Sequence, residues 1–148
     1  MSSGYVVAIP ALRSRFAAEW ATARPDVPVQ MPNSEKSATG ANFVAPAAGP
    51  YGRLSFLSDA GTESIAAGAE SPARIYGTIL LEIFVPTNSG DLLGYQLAED
   101  FADIWINHPL AGFLFSRSRV VAVGRVADDA SRSKYDALTP FEYEFVDA

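Results

Sequence analysis

The chain has 148 residues and no cysteine, and it is acidic, with a formal net charge of -6. That length suits a single domain able to bury its own core. Disulfides, thiolate nucleophiles and cysteine-ligated metals are excluded, and the acidic balance disfavours a general phosphate-gripping role, which leaves a basic footprint.

Apolar residues make up 49% and charged residues 19%, a mix too apolar for wholesale disorder. The longest strongly apolar run, residues 78–85, is too short to span a bilayer. The opening MSSGYVVAIPALRSRF has no basic stretch ahead of its apolar residues, so no signal peptide is expected and assembly in a cytoplasm is.

Tyr5, Ile9, Leu12, Phe16 and Trp20 recur at helical spacing and predict a first helix, with Arg13, Arg15 and Glu19 off the stripe. Pro10 suits only a first turn, so the regular helix is expected to begin near Ile9, or a looser turn to precede it. Residues 21–25 end the helix ahead of Pro25. Residues 27–31, flanked by Pro28 and Pro32, predict an edge strand or an extended segment. Residues 33–50, rich in Ser, Ala, Gly, Asn and Pro, predict a long loop that orders only on assembly.

Residues 51–57 predict a strand with Leu54 and Phe56 on one side and Arg53 and Ser55 on the other. Residues 58–73 read as a long hairpin tip that, like residues 33–50, is expected to order on assembly. They hold neither GxGxxG nor GxxxxGK, so a phosphate cradle is not indicated. Residues 74–85 form the longest predicted strand. Ile75, Gly77, Ile79, Leu81, Ile83 and Val85 share one face; Tyr76, Thr78, Leu80, Glu82 and Phe84 share the other. Both faces are fairly apolar, as for a central strand or one that meets a neighbouring subunit.

After a break at residues 86–90, Asn88 or Ser89 is placed to cap a second helix and Asp91 sits in its first turn. Leu93, Leu97, Phe101, Ile104 and Trp105 form its buried stripe, and Glu99, Asp100 and Asp103 its solvent side. Asn107, His108 and Pro109 stop it. Residues 113–115, 118–126 and 139–146 predict strands, and residues 128–134 a polar turn. In the last strand Phe141, Tyr143 and Phe145 alternate with Glu142 and Glu144.

Chemistry-bearing clusters are few. His108 is the only histidine, so a histidine-pair metal site is excluded, and its place at a helix end suits capping. A serine triad would need that same histidine, and no GxSxG elbow is present. Glu99, Asp100 and Asp103 read as a solvated helix face. No enzymatic role, metal or cofactor is expected. Two competing readings are a small enzymatic or ligand-binding α+β domain, and a single-strand nucleic-acid binder using Phe113, Phe115, Tyr143 and Phe145 with Arg117, Arg119 and Arg125.

The ordered set of PVQMPN, YGRLSFL, RIYGTILLEIFVPTNSG, DLLGYQLAEDFADIW, RVVAVGRV and PFEYEF resembles the tail terminator proteins of long-tailed bacteriophages, over roughly residues 5–146. The resemblance implies one α+β domain across residues 1–148: a mostly antiparallel or mixed sheet of about five to six strands with two helices on one face. It implies a structural virion protein at the head-proximal end of the tail. A hexameric ring would cap the tail tube, end its polymerisation and dock the tail to the head connector or neck protein. Related folds serve as tail-to-head joining or tail completion proteins, which remains the alternative role.

A ring closes by head-to-tail contacts. The two-sided strand and the hairpin tip are the expected subunit or tail-tube interface: Tyr76, Thr78, Leu80, Glu82 and Phe84, with Asp59, Glu63, Ile65 and Glu70. Glu142 and Glu144 are expected to face the lumen, where acidic side chains let DNA pass without specific binding.

Overall fold

The computed structural model describes residues 4–58, 63–64, 72–89, 91–127 and 129–146. It is an α+β domain: two helices lie on one face of a mixed sheet. The helices are α1 (Gly4–Ala23) and α2 (Asp91–Ile106). The strands are β1 (Val29–Gln30), β2 (Tyr51–Ser58), β3 (Glu63–Ser64), β4 (Pro72–Pro86), β5 (Phe113–Phe115), β6 (Arg119–Val126) and β7 (Asp129–Val146). The order across the sheet is β1-β2-β4-β7-β5, with β3 on β4 and β6 on β7. β1 runs parallel to β2 and every other pairing is antiparallel. Two-residue strands β1 and β3 account for the excess over the expected strand number.

The helical face holds the core. Phe16, Trp20, Ile79, Ile83, Leu97, Phe101 and Trp105 are buried together there. Phe16 stacks on Trp20, and Phe101 meets Trp105 edge to face with ring centroids 5.9 Å apart. The Trp20 indole N–H donates to the Val27 carbonyl at 3.0 Å, which satisfies a buried donor and fixes the chain as it leaves α1. An Arg24–Asp100 ion pair and the Arg15 guanidinium, donating to the carbonyls of His108 and Pro109, tie α1 to the end of α2. Asp100 is therefore a helix-to-helix link rather than part of a free acidic face.

Two glycines set the packing distance. A Cβ on Gly94 would sit 2.5 Å from the ring of buried Tyr135, so α2 approaches β7 closely only because that position is bare. A Cβ on Gly77 would lie 2.7 Å from the Phe141 ring and 2.9 Å from the Leu57 carbonyl.

Three expectations need correction. α1 begins at Gly4, and Pro10 lies inside it. Proline removes the bond to the carbonyl four residues back. Here that carbonyl belongs to Val6, and both Val6 and Pro10 face solvent, so water is at hand to take the place of the missing donor. The predicted polar turn at 128–134 is instead strand from Asp129 onward, because β7 pairs with β4 as far as Arg132 opposite Pro86 and with β6 at Asp129 opposite Val126. Residues 33–50 are not a free loop. Ser37 and Phe43 donate backbone N–H groups to the carbonyls of Ala41 and Glu35, closing a small hairpin, and Ala38 donates to Val29. The position between Ser89 and Asp91, where a helix cap would stand, lies outside the described residues; the Ser89 hydroxyl donates to Pro86 instead.

Candidate functional site

Alternation along each strand and the register between strands place a second, helix-free face on the sheet. Across its middle lie Leu57, Thr78 and Pro140 in one row, and Ser55, Leu80, Leu138 and Arg119 in the next. Leu57 is 48% exposed, and Leu114 at the β5 end of the same face is 63% exposed. Leu57, Leu80, Leu138 and Pro140 form an apolar band across β2, β4 and β7, interrupted by Ser55 and Thr78 and ended at β6 by Arg119.

Charged rows border the band on both sides. Toward one end, Lys134 Nζ lies 2.6 Å from Glu82 Oε2 and 3.5 Å from Asp136, while Arg53 stands 3.9 Å from Glu82. Toward the other, Arg74 sits between Glu142 at 3.7 Å and Glu144 at 3.6 Å. An apolar centre with a polar rim is the anatomy of a protein-binding surface. Within a free-standing domain such a face exposes apolar area that a partner would cover.

The hydrogen bond to Glu82, with the attraction of Glu82 and Asp136 behind it, raises the Lys134 pKa above its ordinary 10.5 against the opposing effect of burial. A raised lysine pKa means that the pair's stabilisation is complete below pH 10.5 and is lost as the pH climbs through the higher folded value. Lys134→Met should therefore leave the pH dependence of melting unchanged from neutrality to pH 9 and flatten it above about 10.5. Thermal melts of both proteins across that range check this.

One end of the face is already occupied. Residues 43–50 cross it. Phe43 packs on Tyr51, Tyr51 stacks on Phe84 at 4.7 Å, and the Arg132 guanidinium lies over the Tyr51 ring at 4.7 Å. Arg132 is 4% exposed and donates to the Pro46 carbonyl at 2.6 Å. Arg132→Ala should release this segment: amides of residues 43–50 exchange faster, and stability falls by about 1–3 kcal/mol. Hydrogen exchange with mass spectrometry reads the first effect and urea unfolding the second.

The structure brings Tyr76, Thr78, Leu80, Glu82 and Phe84 onto this face, as their alternation predicts. Thr78 and Leu80 stand at its apolar centre. Phe84 is buried under Tyr51 and Arg53, and Glu82 is bound to Lys134, so neither is free for a partner. Glu142 and Glu144 share the face but are paired with Arg74 rather than forming a bare acidic strip. Glu63 lies in β3; Asp59, Ile65 and Glu70 lie outside the described residues. Sequence reasoning missed Leu57, Leu114, Val121, Leu138 and Pro140. Their strand phases were visible, but only the cross-strand register shows that they share a face.

The aromatics offered as a nucleic-acid platform are engaged with one another. Phe113 packs on Phe115, Phe141 and Tyr143, and Phe115 on Trp105, on the helical side of the sheet. A groove of about 480 Å³ runs between α1 and the end of β2, lined by Tyr5, Ile9, Arg13, Phe56 and Ser58 among others. Among the described residues no histidine or carboxylate lines it, and the Tyr5 hydroxyl donates to the Tyr76 carbonyl. Among the described residues no cluster of potential ligands could hold a metal ion, and no helix is long and apolar enough to cross a membrane.

No family model matches the chain, and no curated protein does. A solved structure that carries no functional description aligns with 93% of this chain and 96% of its own, at 19% identity and a TM-score of 0.58. A chain from the virion of a native gene transfer agent particle aligns with 93% of this chain and 91% of its own, at 17% identity and a TM-score of 0.49. At 19% identity the first likeness establishes a shared fold and nothing finer. The second, with its lower TM-score, falls short even of that.

Proposed function

We propose that this chain is a structural virion protein of a long-tailed phage or phage-derived particle, a tail terminator that assembles as a hexameric ring. In this reading the ring caps the tail tube, ends its growth and presents a docking face to the head connector. DNA crosses the lumen without specific contacts, at the head-proximal end of the tail. The observation that carries the reading is the helix-free sheet face with its apolar band and charged rim. A domain that buries one sheet face under helices and leaves the other open has half of a protein interface already built. The sequence resemblance supplies the kind of assembly.

Adding the purified protein to growing tubes of the cognate tail-tube protein tests this. Tubes should stop elongating, with the protein at one end only in electron micrographs. Continued growth, with the protein absent from tube ends, would discard the terminator role. Growth that continues while the protein binds the head connector would favour the tail-to-head joining role.

A further inference from the structure

Charge is segregated on this chain in a way that its own fold does not use. From Phe113 through Ala127 the sequence holds three arginines, Arg117, Arg119 and Arg125, and no acid. All three are exposed, and none of their side chains makes an ion pair or hydrogen bond with another described residue. They flank Val121 and Val123, themselves 46% and 53% exposed, on β6. Beyond β7, β6 has no further strand partner among the described residues.

The opposite pattern stands on α2, which contains no basic residue. Its outward stripe is Leu92, Tyr95, Gln96, Glu99, Asp103 and Ile106, one line at helical spacing. Leu92 is 69% exposed, and Glu99 has no ion-pair partner among the described residues. The lengths agree. Arg119 to Arg125 spans ~20 Å of strand and Leu92 to Ile106 ~21 Å of helix.

We propose that the β6 ribbon of one copy docks along the outward stripe of α2 on a second copy. The valines meet Leu92, Tyr95 and Ile106, and the arginines meet Glu99 and Asp103. The contact joins two different surfaces, so it propagates head to tail and closes into a ring when the rotation permits. It rests on the ring reading above and names the surfaces that would build the ring. A strand-to-strand contact through β6 is disfavoured by a bulge at Val123, between Ala122 and Gly124, and by charged edge residues. Arg119 and Arg125 leave opposite faces of the ribbon, so a helix lying along it is flanked from both sides.

The absence of native cysteine makes disulfide trapping clean. Val123→Cys protein is mixed with Gln96→Cys protein under mild oxidation, and Leu57→Cys replaces Gln96→Cys in the control. The mixture should cross-link about tenfold faster than the control at low salt, and lose that advantage at high salt. Adding Arg119→Glu and Arg125→Glu to the first partner should abolish the advantage. Adding Glu99→Arg and Asp103→Arg to the second should restore it. Circular dichroism confirms that each variant is folded.

Cross-linking no faster than the control overturns the docking. If that protein binds duplex DNA through the same arginines, their occupant is a polyanion instead. Rings formed by the wild-type protein, while the Val123→Cys and Gln96→Cys pair cross-links no faster than the control, discard the contact and leave the ring reading standing. In one chain carrying both Val123→Cys and Gln96→Cys, a covalent ladder that stops at two copies keeps the contact and discards the ring.

Discussion

Phe101→Ala should destabilise the protein by about 3–5 kcal/mol. Phe101 is fully buried where α2 crosses α1 and the sheet, against Phe16 and Trp105. Truncation removes the transfer energy of the ring and leaves a cavity. The surrounding rings are held by two helices pinned together through Arg24–Asp100 and Arg15, so the site has little freedom to collapse. That loss is a large fraction of the stability of a domain this size. Urea unfolding of the variant beside the parent measures the loss. A loss under about 1 kcal/mol would mean that Phe101 does not face the core.

The second large effect is on assembly rather than folding. Leu80 and Leu138 face each other at the centre of the helix-free face. Leu80→Glu together with Leu138→Lys puts opposite charges directly across the strands, an arrangement that sheets tolerate, so stability should change by less than about 1 kcal/mol. A partner covering that face would lose two apolar contacts and have to desolvate an ion pair. Each leucine is worth about 1.5–3 kcal/mol when buried, so capping should need on the order of a hundredfold more protein. Tube length against protein concentration reads this. Unchanged capping by a folded double variant would remove the face from the interface.

Much of this architecture was legible in the residues because its periods are strong. The stripe through Leu12, Phe16 and Trp20, and that through Leu97, Phe101 and Trp105, fixed both helices and the face each buries. The two-sided alternation of β4 marked it as central, and it does lie between β2 and β7. The failures have a common cause in partners distant along the chain. Asp129, Ser131, Arg132, Ser133 and Lys134 have turn-like composition, yet they extend β7 because β4 offers a ladder from Arg132 onward, β6 pairs at Asp129, and Glu82 and Tyr51 receive the charges of Lys134 and Arg132. Residues 33–50 carry few apolar groups, yet Phe43 and Pro46 anchor them on Tyr51 and Arg132. The candidate face was half visible. Period two gave Thr78 and Leu80, but nothing local tells that Leu57, Pro140 and Leu138 stand beside them, or that Phe84 lies covered.

Particle mass in solution, with negative-stain images of the same sample and of capped tail tubes, decides whether the chain forms a ring that seats on a tube end. The subunit is 15.8 kDa. A hexameric ring gives a particle of about 95 kDa with six-fold end views, free or seated at one end of the tube. A particle of subunit mass at every concentration, with tube ends left bare, would contradict the account.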